Sequence, residues 1–212
     1  MGHRKIALVA VAVLSAFLGA DLLLADEGGG PDSSKLPLCP LMGEPINFNM
    51  YAQTQEGRVY FCCKDCIKKF EENPQKYAKK VEQQREALSP LPRVQVLCPV
   101  MGEPLDGKSS AVVEGKKVEF CCKGCIRKFA REPGKYQARL AESYTYQTKC
   151  PVSGESIDPK VSIKTVGGQQ VYFCCSMCAK KFGDNPQPFA GKLAEQGYTA
   201  KVEDLAPAKN EG

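Results

Sequence analysis

With 212 residues, 29 basic and 24 acidic side chains and a formal net charge of +5, the chain is long enough for one or two ordinary domains and only mildly basic. Its one histidine is His3, so the rest of the chain has no histidine general base, no Ser-His-Asp triad and no histidine-held catalytic zinc. There is no GxxxxGK(S/T) loop and no strand-linked GxGxxG loop, and Lys68-Lys69 and Lys180-Lys181 read as solvated helix faces rather than a nucleic-acid patch.

The first 25 residues read as an export segment. His3, Arg4 and Lys5 form a short basic start, and Ile6 to Leu18 is an apolar stretch of 13 residues, the pattern of a signal peptide. Cleavage after Ala20 or Ala25 fits; the alternative is an uncleaved anchor over Ile6 to Ala25, the one segment that would then touch a membrane. Export makes the chain periplasmic, secreted or anchored at the outer face of a membrane, with a protein of the same envelope as an expected partner. Residues 26–35, acidic and carrying glycine and serine, form a flexible leader.

From residue 36 the chain repeats itself. Cys39-Pro-Leu-Met-Gly-Glu precedes Tyr60-Phe-Cys62-Cys63-Lys-Asp-Cys66, Cys98-Pro-Val-Met-Gly-Glu precedes Glu119-Phe-Cys121-Cys122-Lys-Gly-Cys125, and Cys150-Pro-Val-Ser-Gly-Glu precedes Tyr172-Phe-Cys174-Cys175-Ser-Met-Cys178. These three copies hold all twelve cysteines, with 22, 22 and 23 residues between the lone cysteine and the pair. The repeats span 36–88, 95–142 and 147–204. Ser89 to Pro92 and roughly Ser143 to Thr148 read as linkers, and 205–212 as a loose tail. A unit of about 50 residues is near the size at which an apolar core alone is marginal, so metal, disulfides or packing against neighbours must contribute.

Each repeat predicts the same element order. A Cys-Pro-x-x-Gly turn comes first, with Gly43, Gly102 or Gly154 at its end. Two short strands follow: near Phe48 to Gln53 and then past Gly57, Ser110–Val113 and Lys117–Phe120 around Glu114-Gly115, and Val161–Val166 and Gln170–Phe173 around Gly167-Gly168. The cysteine pair then opens a helix whose apolar face carries Ile67 and Phe70, Ile126 and Phe129, or Ala179 and Phe182. Asn73-Pro74, Glu132-Pro133 and Asn185-Pro186 end that helix and start a second, with Asn73 and Asn185 as N-caps. Tyr77, Tyr136 and Phe189, three residues past each proline, read as core anchors.

A cysteine on a turn, a hairpin, and further cysteines at a helix start is the arrangement by which zinc ribbons and treble clefs gather ligands distant in sequence. The candidate ligands are Cys39, Cys62, Cys63 and Cys66; Cys98, Cys121, Cys122 and Cys125; and Cys150, Cys174, Cys175 and Cys178. Which member of each adjacent pair is a ligand stays open, since neighbouring cysteines tend to point apart. Met42 and Met101 either add a soft thioether, favouring Cu(I) over Zn(II), or fill a gap in a small core. Glu44, Glu103 and Glu155 either accept hydrogen bonds behind the ligands or pair with nearby lysines. Paired disulfides are the alternative in an oxidising compartment. The C-x-x-C pairs also allow a thiol oxidoreductase, although a unit of this size has no room for the βαβ scaffold such enzymes use.

Tyr60-Phe-Cys62-Cys63-x-x-Cys66-x-x-x-Phe70-x-x-x-Pro74-x-x-Tyr77 and its two later copies resemble the YHS and TRASH families of small metal-binding domains over most of residues 36–200. The resemblance implies heavy-metal binding, often in proteins of metal trafficking, sensing and resistance. The first half departs from the usual Asp-Pro-x-Cys-Gly: Cys39, Cys98 or Cys150 stands at the Asp position, and Met42, Met101 or Ser153 at the Cys position. The expectation is therefore an exported α+β protein of three tandem zinc-ribbon or treble-clef-like modules. It binds or buffers Zn(II) or Cu(I) and performs no catalysis, the alternative being an interaction scaffold stapled by metal or disulfides.

Overall fold

A computed structural model describes residues 36–208; the export segment and leader expected over 1–35 and the last four residues lie outside that range. The chain is α+β. Repeat one runs through β1 (Asn47–Thr54), β2 (Gly57–Phe61), α1 (Lys64–Glu72), a 3-10 turn (Pro74–Tyr77) and α2 (Ala78–Leu88). A short strand, β3 (Val94–Gln95), leads into repeat two: β4 (Ser109–Val113), β5 (Lys116–Phe120), α3 (Lys123–Arg131) and α4 (Pro133–Glu142). Then come β6 (Tyr144–Thr145), β7 (Asp158–Lys164), β8 (Gln170–Phe173), α5 (Ser176–Asp184), a 3-10 turn (Gln187–Phe189), α6 (Ala190–Glu195) and a last 3-10 turn (Val202–Leu205). All four two-stranded sheets among the described residues are antiparallel. No helix among them is long and apolar enough to cross a membrane.

The hairpins follow their turn residues. Glu114 and Gly115 both have positive φ, 50° and 77°, the conformation a two-residue turn needs to match the twist of its strands. Each repeat then stacks three rings in order. Phe61, Phe70 and Tyr77 stand with successive centroids 5.2 and 6.3 Å apart. Phe120, Phe129 and Tyr136 repeat this at 5.6 and 6.0 Å, and Phe173, Phe182 and Phe189 at 5.2 and 6.2 Å. The strand phenylalanine is fully buried in each, so the ladder fixes both helices against the second strand. Asn73 caps the 3-10 turn after α1 by accepting from the Lys76 amide. Asn185 instead accepts from Gln187 N–H, and Pro186 takes the cap position.

The segment read as a linker over Ser143 to Thr148 is structured. β3 pairs with β6, Val94 opposite Thr145 and Gln95 opposite Tyr144, and Ser143, Thr145 and Gln147 are buried. The segment read as the start of a loose tail also folds back, through Leu205 in the core and Pro207 bridged to Thr165. Ala208 N–H donates to the Lys164 carbonyl at 2.8 Å and Val166 N–H to the Ala206 carbonyl at 2.8 Å. These polar segments are ordered because their backbone groups find strand partners that local composition does not announce.

Repeats one and three share a core. Leu36, Ile46, Phe48 and Tyr60 pack with Leu193, Tyr198 and Leu205, and Phe48 stacks on Tyr146 with centroids 4.4 Å apart. Phe48 N–H donates to the Gly197 carbonyl at 2.8 Å. A Cβ at Gly197 would lie 2.8 Å from the Phe48 ring, and its φ is 81°, so both backbone and space call for glycine there. Repeat two keeps a core of its own, from Cys98 and Val100 to Phe129 and Leu140.

A glutamine ties each cysteine turn to its hairpin. Gln147 Nε2 donates to the carbonyls of Lys149 (3.2 Å) and Tyr172 (2.7 Å), and its Oε1 accepts from Tyr172 N–H at 2.9 Å. Gln95 does the same with Leu97 and Glu119. In repeat one the equivalent bonds to Leu38 and Tyr60 come from Gln84 on α2. The bonded residues sit one before the lone cysteine and two before the pair, so the amide sets the spacing between thiol-bearing strands. Gln147→Leu removes three such bonds and strips this partner from the buried N–H and carbonyl of Tyr172, while the Lys149 carbonyl keeps Gln196 Nε2 at 3.1 Å, at a cost of about 1–3 kcal/mol. Urea unfolding checks this through a lower midpoint at unchanged slope.

Candidate metal centres

Each centre gathers thiols from three places. The lone cysteine sits on a tight turn in which its N–H donates to the carbonyl five residues on (Cys39 to Glu44 at 2.7 Å) and its carbonyl accepts from the glycine amide (Gly43 at 2.9 Å). Gly43, Gly102 and Gly154 hold φ of 74°, 74° and 80°, which only glycine adopts without strain. The first cysteine of the pair ends the second strand, and the third thiol lies on the first turn of the following helix. Cys39, Cys62 and Cys66 thus come together, as do Cys98, Cys121 and Cys125, and Cys150, Cys174 and Cys178; within each set all Sγ atoms lie within 4.8 Å of one another.

The adjacent cysteine stands apart. Cys63, Cys122 and Cys175 are the N-cap residues of α1, α3 and α5, with extended backbone at φ of −154°, −168° and −159°. Successive side chains of extended backbone point to opposite sides, so the pair splits: Cys62 faces Cys39 and Cys63 faces the helix start. Cys66 touches both, 3.7 Å from Cys62 and 3.5 Å from Cys63. Cys125 does likewise at 3.5 and 3.6 Å. In repeat three the contacts centre on Cys174, 3.7 Å from Cys178 and 3.8 Å from Cys175. Cys63 and Cys122 are exposed and Cys175 is half-buried, whereas Cys39, Cys66, Cys98, Cys125, Cys150 and Cys178 are buried.

These distances suit a metal ion. Zinc held by thiolates at about 2.3 Å in a tetrahedron needs sulfurs about 3.8 Å apart, and the strand-to-helix thiol contacts within the three triads already stand at 3.7, 3.5 and 3.7 Å. The donor set is soft, so it suits Zn(II) and Cu(I) and does not suit the hard cations Mg(II) and Ca(II).

The thiols of one site are not equally acidic. Burial raises Cys39, but the amides of Met42, Cys62 and Leu41 and the Cys62 thiol outweigh it and hold Cys39 below its ordinary value. Cys98 behaves alike. Burial pushes Cys62 and Cys121 up to about 11, and burial with the neighbouring thiols raises Cys66 and Cys125 further. The amide and thiol of Cys66 lower Cys63, and those of Cys125 and Cys178 lower Cys122 and Cys175. The turn and helix-cap thiols are therefore the more acidic members of each site.

Three residue readings change. Met42 and Met101 are 63% and 55% exposed, so neither fills a core gap. Glu44, Glu103 and Glu155 are exposed and belong to no ion pair among the described residues; their contribution is the backbone carbonyl that closes the turn. Ser153, where the other repeats carry methionine, places its hydroxyl 3.2 Å from Cys174 Sγ. It also helps the amides of Cys174, Ser153 and Val152 overcome burial and bring Cys150 down to about 7. Sequence reasoning missed that hydroxyl contact, although the departure at this position marked it. Cys62 also lines a cleft of about 350 Å³ between repeats one and three, with Ile46, Ala194, Glu195 and Thr199.

No family model, no curated protein and no solved structure matches the chain.

Proposed function

We propose that this protein binds and carries soft metal ions, Zn(II) or Cu(I), through three cysteine centres. On this reading it is an exported tandem array of zinc-ribbon or treble-clef-like modules akin to the YHS and TRASH families. The observation that carries the reading is the convergence, three times over, of a turn thiol, a strand-end thiol and a helix thiol within 4.8 Å. The N-terminal signal pattern supports a role outside the cytoplasm, and the resemblance of the Phe-Cys-Cys-x-x-Cys halves supports metal handling. The antiparallel two-stranded sheets provide no βαβ scaffold for a thiol oxidoreductase, so the C-x-x-C pairs are read as ligands.

The packing of repeats one and three into one core favours a second reading, a rigid interaction scaffold whose metal only holds it together. Lability separates the two. A carrier loaded with Zn(II) gives up its ions to a competing chelator while its far-UV circular dichroism stays constant. Metal loss coupled to unfolding would assign the ions to structure instead.

A further inference from the structure

The division of each site into three gathered thiols and one at the rim has a consequence for how metal moves. Resting on the metal-carrying function proposed above, we propose that the helix-capping thiols Cys63, Cys122 and Cys175 are exchange ligands that take an arriving soft metal ion first and pass it to the buried triad.

The turn and helix thiols of each triad are buried and the strand-end thiol is half-buried, so the capping thiols of repeats one and two are the sulfurs most open to an incoming donor complex. Cys63 and Cys122 are exposed, yet their sulfurs lie 3.5 and 3.6 Å from the buried Cys66 and Cys125. One sulfur thus faces solvent and touches the interior in the same conformation. Cys175 occupies the same cap position, 3.8 Å from Cys174, and is less open. The capping sulfurs lie outside the mutually close sets while each touches one member of its set, the position of a ligand at the edge of the site.

Transfer keeps its balance without oxidation or reduction. The capping sulfur gives its proton to water or to the departing donor ligand and forms one metal–sulfur bond as one metal–donor bond breaks. Each triad sulfur then passes its proton to water and forms its bond as another donor bond breaks, and the capping sulfur finally lets go, a water taking its place on the metal, and regains a proton. Release runs the same steps backwards. A group that serves only the passage speeds both directions and leaves the equilibrium nearly unmoved. A resident fourth ligand would slow release and tighten binding.

The test uses the full chain, reduced and under anaerobic conditions, with Zn(II) as probe and a chromogenic chelator as competitor. Replacing Cys63, Cys122 and Cys175 together by serine is expected to leave three ions bound per chain. Loading and release should both slow by about tenfold or more, with Kd moving by less than about threefold. Unchanged rates would overturn the proposal, and so would faster release with a weaker Kd, which marks a resident ligand. Alkylation of the unmutated chain provides a readout independent of how the variant folds. In the zinc-loaded protein, limiting iodoacetamide should modify Cys63 and Cys122 first and slow exchange without expelling metal. Modification spread evenly over all twelve cysteines, or metal lost as those two react, would contradict it. An unmutated chain that takes up no Zn(II) or Cu(I) would instead overturn the proposed function on which this inference rests.

Discussion

Replacing Cys125 by serine is expected to leave the chain with two bound ions instead of three and to destabilise repeat two alone. Cys125 is the buried hub of its site, within 3.5 Å of Cys121 and 3.6 Å of Cys122, and it packs in the same cluster as Phe120 and Phe129. Without that thiolate the site cannot hold its ion, and a hydroxyl buried where the thiol packed costs about 1–3 kcal/mol in a repeat whose small core has little stability to spare. Repeats one and three should persist, because their shared core takes no residue from the cluster built around Cys125. Hydrogen exchange with mass spectrometry checks this: protection should fall over 98–142 and remain unchanged over β2 and β8. Loss of all three ions, or protection unchanged in repeat two, would count against independent metal-stabilised centres.

Tyr198→Ala should have the complementary effect, destabilising repeats one and three together. Tyr198 is buried against Phe48, with ring centroids 5.4 Å apart. Its hydroxyl pairs with Thr145 Oγ1 at 2.7 Å and accepts from the amides of Tyr146 at 3.0 Å and Gln147 at 3.1 Å. Truncating a large buried ring costs about 3–5 kcal/mol, and amides left unpaired add about 1–3 kcal/mol more. Tyr198→Phe keeps the ring and should cost only the hydrogen-bonding share, about 1–3 kcal/mol. Thermal unfolding followed at repeat-specific positions should show repeats one and three moving to lower temperature as one unit. A shift confined to repeat three would mean that the repeats behave as separate beads.

The parts of this architecture that were legible in sequence are the local ones. Glu114-Gly115 announces its hairpin, Pro74 and Pro133 announce the second helices, and the spacing from Cys39 to Cys62 and Cys66 announces a shared site. What escaped depends on contacts between segments far apart in sequence. Thr145 and Gln147 look like linker residues because their partners, Tyr198 and Tyr172, lie 53 and 25 positions away. Gln84 reads as a solvent-facing residue of α2, but it supplies the bonds that Gln95 and Gln147 make from just before their cysteines. The same bonds come from different elements, so no alignment of the three repeats would expose it. Within the site, alternation at a strand end was enough to say that adjacent cysteines diverge. Which one turned inward was decided by the helix cap, where Cys63 takes the outer position.

Metal content and free-thiol count on the full chain, purified without added oxidant, decide whether the cysteines are held for metal. The account predicts one soft metal ion for each of the three centres, with all twelve cysteines titrating as thiols once the metal is chelated. A chain that carries no metal and has every cysteine paired in a disulfide would contradict it.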